Sequence, residues 1–196
     1  VLTSPPYFEE ARADVFHRPV ERQTDFADVR RDVLAYADTL ETVYHEIARV
    51  LSPSGALVVQ IKDLRYGRAL IPLAARHVDL AKRAGLRLIG RVYWQKTFSK
   101  WARSPHFKRS PCVGGFKVDD CEEFQIFAHP GGPDRRAARV ELERDEIDEA
   151  ASPLWRMPAL GAHATHPYQS PAGPLRRFVA LFTVPGDLVV DPFAGH

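Results

Sequence analysis

The sequence predicts an α/β domain built around a largely parallel sheet. Short apolar runs of strand length alternate with amphipathic helical segments, the rhythm of βα units. Those runs, Ala56-Leu57-Val58-Val59 and Leu188-Val189-Val190, are continuous rather than alternating, as in strands covered on both faces. A chain of 196 residues with 45% hydrophobic and 27% charged content is large enough for one core and is not a disordered composition.

Taken in order, Thr3-Ser4-Pro5-Pro6-Tyr7 reads as the end of a strand entering a turn. Glu9 to Arg31 is charged and poorly periodic and reads as loop, with helix as the weaker alternative. In Asp38 to Leu51, the residues Leu40, Val43, Tyr44, Ile47, Val50 and Leu51 fall on one helical face. Asp38 and Glu41 suggest a capping box there, and Pro53 and Gly55 a stop. Ala56 to Lys62 is a strand. Pro72 opens a helix that Gly85 closes. Leu86 to Trp94 and Glu123 to Ala128 are strands. Pro174 to Thr183 is a short helix with Leu175, Phe178, Val179 and Phe182 on one face, and Asp187 to Val190 is a last strand. No helix follows it, so the end of the chain reads as half a βα unit from a longer protein.

No apolar run approaches the roughly 18 to 20 residues of a membrane helix, and the first residues do not form a signal peptide. Cys112 and Cys121 are too few for a disulfide scaffold or a four-cysteine zinc site, which makes a reducing cytoplasm the default compartment. His163 and His166 have no companion Cys or acid ligands in the pattern, so no metal is expected. Net charge is only +2, but it is unevenly spread. Gln95 to Lys117 holds Lys96, Lys100, Arg103, Lys108, Arg109 and Lys117 with no acid, and Asp119 to Glu149 has eleven acids against four arginines. Cations interleaved with Trp94, Phe98, Trp101 and Phe107 suit a nucleic-acid backbone, or equally a solvated loop anchored by a few rings.

Two motifs carry chemistry. In Ser4-Pro5-Pro6-Tyr7 the prolines cannot donate backbone hydrogen bonds, so fixed carbonyl acceptors, a hydroxyl and a flat ring stand together. That set suits the exocyclic amine of a planar base; a plain proline turn or a polyproline ligand has the same residues. Asp191-Pro192-Phe193-Ala194-Gly195 follows an apolar strand, where α/β sheets bind ligands, though a simple turn would also read this way.

In combination with Arg49-Val50-Leu51-Ser52-Pro53-Ser54-Gly55, Trp94-Gln95-Lys96 and His166-Pro167, these motifs resemble the DNA amino-methyltransferases that use S-adenosylmethionine, in the arrangement with the catalytic motif before the cofactor motif. The resemblance implies a Rossmann-like methyltransferase fold of circularly permuted motif order with an incomplete sheet. It divides the chain into a catalytic half (1–97), an irregular target-recognition insertion (98–153) and a cofactor-binding portion (154–196). It implies Ser4, Pro5, Pro6 and Tyr7 as catalytic and base-holding residues. Thr3, His166, Asp191, Pro192, Phe193, Ala194 and Gly195 would bind cofactor, and Lys96, Lys100, Arg103, Lys108, Arg109 and Lys117 DNA. The reaction needs no covalent cysteine, so Cys112 and Cys121 are expected to be packing residues. The strands bearing the two motifs would be neighbours, with base and cofactor in one cleft.

Such enzymes take a flipped base in double-stranded DNA. A Ser in the first motif position leans towards cytosine N4 over adenine N6. A homodimer and a cognate restriction endonuclease are the partners such systems imply. Family members continue beyond the cofactor loop with Ser-Gly-Thr, a helix and a ribose-binding acid; here His196 stands at the Ser position. A methyltransferase of RNA or of protein amides, and a non-catalytic nucleic-acid-binding remnant, are the rival readings.

Overall fold

The computed structural model describes residues 1–5, 26–66, 69–96, 121–133, 143–158 and 170–194. A five-stranded sheet forms the centre. Its strands are β1 (Leu2–Thr3), β2 (Leu57–Ile61), β5 (Arg87–Lys96), β6 (Cys121–Ala128) and β7 (Leu154–Met157), in the order β1-β2-β6-β5-β7. β1 runs parallel to β2 and β7 parallel to β5, while β6 is antiparallel to both its neighbours. Four strands therefore point one way and β6 alone is reversed. The carboxyl ends of β1, β2, β5 and β7 share one rim with the amino end of β6. A separate antiparallel pair, β3 (Leu64–Tyr66) and β4 (Ala69–Ile71), follows β2.

Strand β2 shows why the apolar runs are continuous. All five of its residues are buried, Leu57, Val59 and Ile61 in one core and Val58 in another. The first core is covered by α1 (Phe26–Thr39), α2 (Glu41–Val50) and α3 (Leu73–Arg83), through Val33, Ala37, Tyr44, Ile47, Val78 and Ala81. The second is covered by α5 (Ala172–Phe182), whose Phe178 ring lies 4.9 Å from Phe124 and 4.7 Å from Trp155. Burying a ring of that size contributes about 2–3 kcal/mol. Gly85 takes a φ of +84° after α3, a left-handed conformation that costs glycine least, and so ends the helix.

Several elements differ from the expectation. The poorly periodic segment before Asp38 contains helix α1 from Phe26; tertiary packing of Val33 and Ala37 outweighs its weak pattern. Asp38 lies inside that helix and pairs with Arg76, so it does not cap α2, whose first turn follows Leu40 without a side-chain cap. The capping box belongs instead to α4 (Arg144–Ala151), formed by Glu143 and Glu146. On α5 the buried face is turned towards Pro174, Phe178, Leu181 and Phe182, leaving Val179 38% exposed. Val50 is likewise outside the core at 55% exposure.

The segment 98–153 assigned to an insertion contains β6, which pairs with β2 on one side and β5 on the other. The sheet thus runs through it. Residues 187–190 form no ladder among the described residues. Leu188 is 85% exposed, and the pass is held by a bond from the Leu2 N–H to the Val190 carbonyl at 3.1 Å. Cys121, expected to pack in the core, is exposed at the start of β6.

Candidate functional site

The site begins where β1 ends. Register pairs Leu2 with Val58 and Thr3 with Val59, so the next step of β1 brings half-buried Ser4 level with Gln60 at the sheet rim, followed by buried Pro5. Pro6 and Tyr7, the rest of the motif, lie outside the described residues, as do His166 and Gly195.

The last part of the chain lies directly beside the end of β1. Buried Thr3 donates its Oγ1 hydroxyl to Asp191 Oδ1, across 188 positions of sequence. The same carboxylate oxygen accepts the Phe193 N–H at 2.9 Å, closing a short turn over Pro192. Phe193 packs partly against the helical core, whereas Asp191, Pro192 and Ala194 are exposed. A two-residue strand could not hold a loop so distant in sequence by itself; the Leu2–Val190 and Thr3–Asp191 bonds fasten the two segments at consecutive positions.

Trp94-Gln95-Lys96 is tied on all three side chains. Trp94 is buried and donates its indole N–H to the Met157 carbonyl at 3.0 Å. Gln95 Oε1 accepts from Arg156 Nε at 3.1 Å. Lys96 lies over the Trp94 ring, 5.0 Å from its centroid, and forms an ion pair with Glu122. The charge pattern groups Lys96 with phosphate ligands; here its ammonium is committed within the protein. Lys100, Arg103, Lys108, Arg109 and Lys117 lie outside the described residues.

Glu122, Gln60 and Ser170 are the members of this rim that pattern reading missed. Gln60 donates to Glu122 Oε2, and Ser170 Oγ donates to Gln60 Oε1 at 3.0 Å. The available signal was Gln60 itself, one amide interrupting a strand of Leu, Val and Ile. Lys62 and Asp63, just past β2, line an open depression of about 160 Å³ with Leu70, Tyr93 and Glu123. Asp63 Oδ1 accepts the Ala74 N–H at 2.9 Å, occupying the first turn of α3. Trp155 is a core residue, 1% exposed. Among the described residues no group of three or more metal-ligating side chains forms, and no helix is long and apolar enough to cross a membrane.

The layered sheet matches the folds of solved methyltransferases. TTHA0409 of Thermus thermophilus, in a complex with S-adenosyl-L-methionine, superposes with a TM-score of 0.68 at 23% identity, over 99% of this chain and 70% of that one. PvuII DNA methyltransferase, cytosine-N4-specific, superposes at 0.65 with 17% identity, over 97% and 66%. The fold is thus the Rossmann-like one of S-adenosylmethionine-dependent DNA methyltransferases.

At the level of sequence, the N6/N4 DNA methylase family model matches residues 1–196, and the chain belongs to that family. It is similar to the type II methyltransferases M.MthZI of Methanothermobacter thermautotrophicus and M.BglII of Bacillus subtilis, at 24% identity to each. The alignments take in all of this chain but only 61% and 54% of those relatives, so the chain spans little more than half their length.

Proposed function

We propose that this chain is the base-holding part of a DNA amino-methyltransferase, acting on the exocyclic amine of a base flipped out of double-stranded DNA. The observation that supports the reading best is the Thr3–Asp191 hydrogen bond, which sets the end of β1 against the Asp-Pro-Phe loop. A transfer reaction needs its two reactants within one methyl's reach, and positioning of this kind lowers the barrier.

Ser4 Oγ and the Pro5 carbonyl are the acceptors that hold the two amine hydrogens. Withdrawing those hydrogens from the ring plane restores a usable lone pair to a nitrogen otherwise conjugated with the base. Pro6 fixes the turn, and Tyr7 is the stacking ring, worth about 1–3 kcal/mol. Bound S-adenosylmethionine supplies an electrophilic methyl on a sulfonium. The chain's own part is to hold the nitrogen and its hydrogens so that the lone pair is presented for transfer.

The donor chemistry of the described residues fits such a ligand. Asp191 is exposed and engages the turn through Oδ1. Among the described residues no hydrogen bond is seen to its other oxygen, which can accept from an ammonium group, and the negative charge suits a cationic ligand. Thr3, Pro192, Phe193, Ala194, Gly195 and His166 complete the set assigned to the cofactor. Serine at the head of the motif favours cytosine N4 as the target. Lys100, Arg103, Lys108, Arg109 and Lys117 are the phosphate ligands, and a restriction endonuclease of the same specificity is the partner a modification system would have.

The test is methyl transfer from labelled S-adenosylmethionine to DNA, RNA and protein substrates. DNA is expected to accept label, and Ser4→Ala to lower transfer by on the order of a hundredfold with unchanged melting temperature. Label on RNA or protein alone, or salt-dependent DNA binding with neither cofactor binding nor transfer, would favour the rival assignments. Cytosine-containing and adenine-containing duplexes decide the base.

A further inference from the structure

Glu122 lies at the carboxyl-end rim, and it is a carboxylate with only 6% of its surface exposed. Its two oxygens are divided between two strands: Oε1 takes the Lys96 ammonium at the end of β5, and Oε2 takes the Gln60 amide near the end of β2. Glu122 shares a sheet face with Phe124 and Ile126, the face covered by α5, and Ser170 just before that helix donates to Gln60. Four separate stretches of chain thus meet in one hydrogen-bonded row.

The chemistry of the row is directional. An ionised carboxylate only accepts, so Glu122 forces the NH₂ end of Gln60 towards itself and its Oε1 towards Ser170. A glutamine amide in an apolar strand otherwise has two nearly equivalent orientations. Pairing a buried carboxylate with a half-buried ammonium is also a poor choice for stability alone, because an apolar pair of similar volume is commonly as stable or more so. What such a pair provides is a unique arrangement, and here the arrangement reaches the strand beside the motif. Gln60 follows Val59, the register partner of Thr3, and so stands level with Ser4.

We propose that Glu122 is a positioning residue: held by Lys96, it fixes the orientation of Gln60 beside Ser4 and so the placing of the base-holding residues that follow β1. The functional half of this inference rests on the reading of Ser4 given above.

The test separates stability from position. In the double variant Lys96→Met/Glu122→Leu both charges go and the volume stays, while the buried Gln60 amide loses an acceptor, so the protein is expected to stay folded with a modestly lower melting temperature. The Ser4 amide resonance, read by two-dimensional NMR of the whole chain, is expected to move. Single-turnover methyl transfer to duplex DNA is expected to fall by about tenfold to a hundredfold, with little change in duplex Kd. An unmoved Ser4 resonance overturns the proposal, and so does a moved resonance with unaltered transfer. If the unsubstituted protein transfers no methyl group, the enzyme assignment fails by itself, and the Ser4 resonance alone decides for or against Glu122. Should the double variant not fold, Glu122→Gln is read in the same two ways.

Discussion

Thr3→Val is the substitution that probes the joint between the two motifs most directly. Valine has nearly the shape of threonine, and Thr3 is only 4% exposed, so the change removes a hydroxyl without opening a cavity. What is lost is one hydrogen bond to a carboxylate. Bonds to charged groups contribute about 1.5–3 kcal/mol when both partners are buried. Asp191 is exposed, so solvent takes up part of the loss and about 1 kcal/mol is the expected figure. For a chain of this size that lowers the melting temperature by about 2–4 °C. If the Asp191–Phe193 turn is prearranged by this bond, affinity for S-adenosylmethionine should fall about fivefold, since 1.4 kcal/mol corresponds to about tenfold. Thr3→Ser, which keeps the hydroxyl, should retain most of the affinity. Calorimetric titration with the cofactor and a thermal melt provide both readings. Equal melting temperatures for Thr3→Val and the unsubstituted protein would refute the reasoning, because the bond would then contribute nothing to holding the loop.

Three further outcomes are expected. His77 is buried between α2 and α3 with Nδ1 2.6 Å from the Tyr44 hydroxyl, and burial lowers its pKa from the usual 6.5 to about 4. The unfolded chain therefore binds a proton between those values that the folded chain does not. Stability is full above about pH 6.5 and is lost as pH falls towards 4, by about 3 kcal/mol at the acid limit. Denaturant melts should show this extra slope relative to His77→Gln, and parallel pH curves would exclude it. At Gly132 an added Cβ would lie 2.4 Å from the Pro53 carbonyl oxygen. Gly132→Ala should therefore cost about 1–3 kcal/mol in the same melts, with no loss if the two turns can part freely. Neutralising Lys100, Arg103, Lys108, Arg109 or Lys117 should each reduce the salt slope of duplex binding by about 0.9, measured by anisotropy. Lys96→Gln should leave that slope unchanged, because the ammonium is held by Glu122.

Reading the chain by pattern succeeded where a residue's neighbours are local. The β2 run, the Tyr44–Ile47 face of α2, and the Pro72 and Gly85 limits of α3 are set by spacing and by backbone preference. Helix α1 and strand β7 were not legible in this way. Their residues are polar or short in pattern, and they are ordered by partners elsewhere: Val33 and Ala37 by the helical core, Leu154 to Met157 by register with Tyr93 to Lys96. The Asp187–Val190 run misled in the opposite direction, since an apolar sequence shows the tendency to be buried but not whether anything covers it.

For the site the division is similar. The chemistry of Ser4-Pro5 and Asp191-Pro192-Phe193 was written in the residues themselves, because a proline's missing donor and a carboxylate's charge are properties of single side chains. That the two lie in contact, that Lys96 is spent on Glu122, and that Gln60 stands level with Ser4 were decided by the sheet order β1-β2-β6-β5 and its register. Such pairings join residues up to 188 positions apart. Spacing along a chain has no means of encoding which distant strands become neighbours; that follows only when burial of both faces of the sheet selects one packing.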